Sequence, residues 1–393
     1  MKAIANFVLF GFLLLKLSAC SWQPPLSGTI QLDDSDWNQV VYLVAPANWK
    51  AAASSYVGTV LDSAQIDENG QFAFEQMPAA QEPVLWQLAV QRQGERFLNR
   101  LDNEVPALSN YMPLVWQDGY QEAITASISR FQESFQFIDP NPQNALLVEL
   151  RDLRLAAHTL HLGAEEDQSE HALLEEEEAM LAYQKSLMQF AATSEHLLPS
   201  LVAVRWASIE GYYERFPELI VRQAERWQVE VPDHPWVQQL ANAADRKKMP
   251  VLLGDQIPDY PMPLLGGDTV RLNTLLGERL TLLDLWASWC GPCRVQNKEY
   301  LVPLWEEYAE AGFQILGYGL EASERAWLRA IEADGVQKWP HASDLMGDDS
   351  PLFDQLRIST IPANFLLDAE GKVVAKNLHG EALVDFIRDY LRE

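Results

Sequence analysis

The sequence predicts a multidomain chain of three successive characters: an N-terminal β-sandwich-like domain, an α-helical middle region and a C-terminal α/β domain. Three observations predict it. Short alternating or β-branched runs, punctuated by turn residues, fill residues 20–138. Apolar residues then recur at three- and four-residue spacing through residues 139–248. From 249 to 393, apolar runs of strand length alternate with segments of helix length. The 393 residues suffice for two or three cores, and 48% hydrophobic with 22% charged residues is ordinary for globular protein. A net charge of −27 argues against nucleic acid, which needs a basic surface, and reads as a solubility feature before it reads as a face for basic partners.

Residues 1–19 form a short leader. Met1-Lys2 supplies the positive start, Phe7 to Leu15 the apolar stretch, and Leu17-Ser18-Ala19-Cys20 the small-residue ending. The apolar part is too short to span a bilayer, so it reads as a signal peptide. Leu-Ser-Ala-Cys resembles a bacterial lipobox. By that resemblance the chain is cleaved before Cys20, which is then acylated and anchors the protein without spanning the membrane. Ser21 suits outer-membrane sorting, and the expected location is the envelope of a Gram-negative bacterium, on the periplasmic side. An ordinary secretory signal with an incidental cysteine is the alternative.

Within residues 20–138, strands are expected at Ser27–Ile30, Gln39–Val44 and Ala64–Phe74. Asp67-Glu68-Asn69-Gly70 is a turn signal and predicts a hairpin between Ser63–Ile66 and Gln71–Phe74. A second hairpin is expected where Val84–Val90 meets Glu95–Leu98 across Arg92-Gln93-Gly94, with further strands at Tyr120–Ile128 and Phe131–Ile138. Trp37, Trp49, Trp86 and Trp116 could offer a binding platform, but core or edge packing is the preferred reading. The module is taken as a spacer or docking domain.

Asp139-Pro140-Asn141-Pro142 breaks that pattern, with Asn141 placed to cap a helix and Pro142 at its first position. Leu146, Leu147, Leu150, Leu153, Ala157 and Leu160 follow at helical spacing. Further helices are expected at Glu175–His196, Ser200–Phe216 and Pro217–Gln228. The acidic run from Glu165 to Glu178, with His158, His161 and His171 nearby, lacks metal-ligand spacing and reads as a solvated face.

The chemistry lies in residues 249–393. A strand pair is expected around Met262–Leu272, then a strand at Leu280–Trp286, a helix from Cys290 to Ala311, a strand at Phe313–Tyr318 and a helix at Ser323–Asp334. A short helix at Leu352–Leu356, strands at Asn364–Leu367 and Lys372–Lys376, and a closing helix at Glu381–Leu391 complete the order. The strand at Leu280 feeds into Trp289-Cys290-Gly291-Pro292-Cys293. Proline favours the first turn of a helix, so Cys290 should sit at a helix N-terminus and Cys293 one turn inside. Orphan N–H groups and the helix dipole there stabilise a thiolate on Cys290, and Cys293 lies within its reach. Such a dithiol can attack a disulfide and resolve the mixed intermediate. Asp284 interrupts the apolar strand, so burial should raise its pKa unless it reaches solvent. Arg294 either adds charge that favours the thiolate or stands as an exposed helix residue.

The segment from Asp284 to Cys293, with its acid six residues before the first cysteine, resembles the active site of thioredoxin. The wider domain is similar to the TlpA/ResA-like thiol-disulfide oxidoreductases of bacterial envelopes, and residues 20–138 to an uncharacterised β domain that often precedes it in lipoproteins. The resemblance implies a thioredoxin fold, with Asp284 exchanging the proton of Cys293. It also implies that Pro362, in Ser359-Thr360-Ile361-Pro362-Ala363, is a cis-proline facing the dithiol. Pro362 has no N–H to quench the thiolate, and Ile361 offers backbone groups to an extended substrate. Trp289, Gly291 and Pro292 complete the expected substrate-facing positions, with Trp289 at the rim. Ala363 replaces a threonine common among relatives, and Asp284 an uncharged residue common in TlpA/ResA-like proteins.

The expected function is therefore a disulfide reductase in the envelope, acting on disulfide-bearing envelope proteins and apocytochrome c thiols. The resemblance implies that electrons come from a membrane thiol donor, and cytochrome c maturation is one process it suggests. The Gly-Pro pair between the cysteines resembles reducing members, while oxidase or isomerase action is the alternative direction. A peroxidase would call for a lone peroxidatic cysteine in another context. Another alternative is a binding lipoprotein whose dithiol only assists. No cofactor is expected beyond the Cys290–Cys293 disulfide, and no metal, because no second cysteine pair completes a site.

Overall fold

The computed structural model describes residues 23–53, 58–98, 105–163, 170–207, 216–358 and 360–392. The leader and Cys20 lie outside the described residues. The first strands are β1 (Leu26–Gln31), β2 (Val40–Pro46), β3 (Gly58–Gln65), β4 (Gln71–Phe74) and β5 (Val84–Ala89), followed by β6 (Tyr111–Trp116) and β7 (Glu122–Ser127). A helical turn, α1 (Phe131–Ser134), and β8 (Gln136–Ile138) close the region, where the sequence suggested one continuous strand. They form two four-stranded sheets, ordered β4-β1-β7-β8 and β3-β2-β5-β6. Leu26, Ile30, Phe72 and Ile124 of one sheet and Val41, Leu43, Leu88 and Leu114 of the other are buried in a common core.

Both expected hairpins are corrected. The Asp67–Gly70 turn forms, with the Gly70 N–H donating to the Asp67 carbonyl at 2.9 Å. Gly70 has φ +78°, and a Cβ there would strike the Ile30 carbonyl, so glycine is required. Yet β3 pairs with β2 and β4 with β1, so this turn carries the chain from one sheet to the other. The Arg92–Gly94 turn also forms, but β5 pairs with β6 and β2, and no strand covers residues 95–98. A turn signal fixes the local reversal; the long-range partner decides between hairpin and corner. β6 went unnoticed because all six of its residues are buried, leaving no alternation to read. Trp37, Trp49, Trp86 and Trp116 are all buried, as packing residues would be.

The helices that follow are α2 (Pro142–Leu162), α3 (Glu170–Thr193), α4 (Leu197–Ala207), α5 (Pro217–Glu230) and α6 (Pro235–Ala243). Asn141 caps α2, its Oδ1 accepting from the N–H groups of Gln143 and Asn144 at 3.0 Å each. α6 was not anticipated. The helices share the core of the strands. Trp206 of α4 donates through Nε1 to the Tyr111 hydroxyl at 3.0 Å, and Tyr111 donates to the Ala53 carbonyl at 2.6 Å. Arg154 of α2, fully buried, stacks its guanidinium 4.7 Å from the Trp206 ring and donates to Gln132 Oε1 at 2.9 Å.

A second core runs from Ile257 to Leu391. Its elements are β9 (Pro261–Pro263), β10 (Thr269–Arg271), β11 (Leu280–Trp286), α7 (Gly291–Gln296), α8 (Val302–Tyr308), β12 (Phe313–Gly319) and α9 (Glu324–Asp334). Then come β13 (His341–Ala342), α10 (Pro351–Leu356), β14 (Ala363–Asp368), β15 (Val373–Lys376) and α11 (Gly380–Arg392). A wide turn of π type at Asn297–Leu301 joins α7 to α8, where Pro303 cannot donate to the carbonyl four residues back. The main sheet is ordered β13-β12-β11-β14-β15, with β11 parallel to β12 and antiparallel to β14. This is the thioredoxin fold.

The two cores are tied at specific points. α3 lies against α7. Lys376 of β15, almost fully buried, pairs with Glu218 of α5 at 2.8 Å, and Glu218 also accepts from the Leu253 N–H at 2.9 Å.

Candidate active site

β11 is the fully buried central strand of the sheet, and it ends at Trp286, four residues before Cys290. Cys290 has extended backbone and caps α7, with Pro292 in the first turn. The Cys293 N–H donates to the Cys290 sulfur at 3.3 Å. The two cysteines form a disulfide with their Cα atoms 5.3 Å apart, and both are buried. Once the bond is reduced, the same N–H and the helix terminus are placed to stabilise negative charge on Cys290.

Asp284 lies on β11 between Gly317 of β12 and Asn364 of β14. It is 3% exposed, and burial pushes its pKa up from 3.8 to about 7, the donation from Gln296 opposing that rise. A carboxyl group so tuned exchanges its proton near neutral pH.

The approach to Cys290 is braced from two sides. Glu321, after β12, accepts from both the backbone N–H and the hydroxyl of Ser288, the hydroxyl at 3.0 Å. Burial of Glu321 pushes its carboxyl up, opposed by the Ser288 donors and the Arg294 charge. Arg294 grips Asp334 at the end of α9 through Nε and Nη2, the latter at 2.6 Å, and donates through Nη1 to the Ser288 carbonyl at 3.1 Å. The Arg294 side chain is 22% exposed and the Asp334 side chain fully buried. Arg294 is therefore a bidentate brace.

The Ile361–Pro362 peptide bond is cis. Ala363 pairs with Leu285, so Pro362 lies at the sheet end where β11 runs out towards Cys290. Trp289 is 65% exposed, whereas Trp286 is buried beneath the site. Gly291, Pro292, Ile361 and Pro362 are half-buried, which leaves their edges open to an incoming chain. Pro362 and His379 also line a cavity of about 300 Å³ between this domain and helices α3 and α5. Among the described residues no three His, Cys, Asp or Glu side chains gather as metal ligands.

Residues 253–376 match the family model described as the AhpC/TSA family. They form a thioredoxin-like domain of that family. The chain is 28% identical over 150 residues to the thiol-disulfide oxidoreductase ResA of Bacillus cereus, covering 38% of this chain and 82% of that one. It is 26% identical over 125 residues to the thiol:disulfide interchange protein DsbE of Pseudomonas fluorescens biotype C, covering 31% and 64%. A solved thiol-disulfide oxidoreductase from Bacteroides fragilis is 33% identical, with 34% of this chain and 98% of that one covered and a TM-score of 0.32. All three resemblances fall short of half of the chain.

Four residues of this thioredoxin-like site escaped sequence reasoning: Glu321, Asp334, Gln296 and His379. Gln296 stands three residues after Cys293, hence on the same helix face, which is a usable signal. The other three act across 33 to 83 residues of sequence, and no local pattern marks them.

Proposed function

We propose that the protein is a thiol-disulfide oxidoreductase that reduces disulfides of envelope proteins through Cys290 and Cys293. The carrying observation is the capped geometry of Cys290, with the Cys293 N–H on its sulfur and the buried Asp284 behind it. In the reduced enzyme the Cys290 thiolate attacks one sulfur of a substrate disulfide, and the other sulfur leaves as a thiolate. Asp284 takes the proton of Cys293, whose thiolate attacks the Cys290 sulfur of the mixed disulfide. The substrate departs as its second thiolate and is reprotonated. It has gained two electrons, and the enzyme holds the Cys290–Cys293 disulfide. A membrane thiol donor returns the electrons. Trp289, Gly291, Pro292 and Ile361 border the incoming chain, and Pro362 offers no N–H to compete for the thiolate.

In this reading Cys20 carries the lipid that anchors the protein in the envelope, facing the periplasm and held in the outer membrane, and cytochrome c maturation supplies one substrate class. Among the described residues no helix is long and apolar enough to cross a membrane. The test is covalent trapping from an envelope extract. A Cys293→Ser variant should accumulate mixed disulfides that dissolve on reduction, and a Cys290→Ser variant should hold none. Equal adducts on both variants, or none on either, would overturn the assignment.

A further inference from the structure

Cys290, Cys293 and Gln296 follow one another at three-residue spacing and so share the inner face of the active-site helix. Gln296 is 1% exposed, and its amide is held at both ends. Nε2 faces Asp284 Oδ1 at 3.5 Å, and Oε1 lies 2.8 Å from Nδ1 of His379. An amide oxygen can only accept, so this contact calls for a proton on His379 Nδ1. His379 is 8% exposed and stands just before α11, at the wall of the cavity under α3 and α5.

The geometry points to His379 as a positioning residue for Asp284, acting through Gln296. This rests on the thiol-disulfide reading above and deepens it. A primary amide can turn over and exchange its oxygen with its nitrogen. With His379 donating to Oε1, the NH2 end stays on Asp284 and favours the carboxylate that must accept the Cys293 proton. Without that donor the amide is free to turn its oxygen towards the acid, where it repels a carboxylate and accepts only from the protonated form. His379 thus sets how readily Asp284 can act as a base, without touching substrate or sulfur. The titratable groups that face it across the cavity are Glu177 and Lys185 of α3, Glu218 of α5 and Lys376 of β15, the last two paired with each other. On the strands that flank Asp284 the register partners are Gly317 and Asn364, neither of them titratable, and beyond Gly317 stands His341, whose pKa burial lowers.

The test uses the full chain, reduced, with dithiobis(nitrobenzoate) as the probe between pH 5 and 9. Attack by Cys290 releases one coloured thiolate, and attack by Cys293 on the mixed disulfide releases the second. The second phase therefore reads the Asp284 step. A His379→Phe variant keeps a ring in place but lacks the donor. Its second-phase midpoint should move up by roughly one to two pH units, the size expected for one lost hydrogen bond to the charged form. A His379→Asn variant, which restores a donating nitrogen, should return it towards the parent. Coincident midpoints for His379→Phe and the parent would overturn the proposal, as would equal displacement in both variants. A ¹⁵N spectrum of the unaltered chain tests it without substitution: the proposal requires a proton on His379 Nδ1, and a bare Nδ1 sinks it. Failure of the thiol-disulfide reading looks different, since the unaltered chain would then show no second phase whose rate is independent of the probe concentration at any pH.

Discussion

Asp284 is fully enclosed by apolar strands, and its titration is coupled to the stability of the fold. Its pKa is 3.8 in the ordinary case and about 7 in the folded chain, raised by burial. Below pH 3.8 both folded and unfolded chains hold the proton, so Asp284 costs nothing there. As the pH rises from 3.8 towards 7 the unfolded chain releases the proton and the folded chain keeps it, so stability falls across that window. Above 7 the loss is complete, on the order of 4 kcal/mol. An Asp284→Asn variant should therefore resist urea better than the parent at pH 8 and match it near pH 4, while releasing trapped substrate more slowly. An equal gain at both pH values would show that ionisation is not the cause. At this scale the sequence was legible where chemistry and spacing coincide. Cys290, Cys293 and Asp284 announce themselves by residue type inside a strand-to-helix pattern. Arg294 could be read only as an added charge or an exposed helix residue, because its partner Asp334 lies forty residues away.

Among the elements, the helices that bind the two cores together carry the second test. Gly380 opens α11 with φ +50°, and a Cβ there would collide with the carboxylate of Glu178 on α3. Glu178 accepts a backbone hydrogen bond from Ala382, in the first turn of α11, so a side chain of one region caps a helix of the other. Burial pushes the Glu178 carboxyl up, opposed by that hydrogen bond, and Glu381 and Glu175 raise it further. Gly380→Ala should strain the backbone and displace the cap together, lowering stability by about 1–2 kcal/mol in urea unfolding. An unchanged midpoint would mean that α3 does not depend on this contact. The elements of the C-terminal domain were legible almost throughout, since each strand or helix carries its own period and its own boundary residues. β11, expected at Leu280–Trp286, occupies those residues. The β region was less legible. Its turns were readable from Asp67–Gly70 and Arg92–Gly94, but the choice between pairing across a turn and crossing to the other sheet is made by distant strands such as β6.

At the scale of the molecule, the change from period two to period 3.6 near Asn141 marks a change of element and leaves the core continuous. Trp206, Tyr111 and Arg154 join helices and strands in one interior, and the second core begins only at Ile257. The thioredoxin-like domain is thereby held with α3 against the active-site helix, and the cavity beside Pro362 has walls from both regions. That arrangement could not be read from sequence, because it depends on how two independently patterned regions meet. That the dithiol works as a reductant is a statement about its potential. The most direct measurement is the reduction potential of the Cys290–Cys293 couple, followed by tryptophan fluorescence in defined thiol buffers. A reducing dithiol should show a value near that of thioredoxin, about −270 mV. A value near about −120 mV would make the couple a strong oxidant and contradict that role.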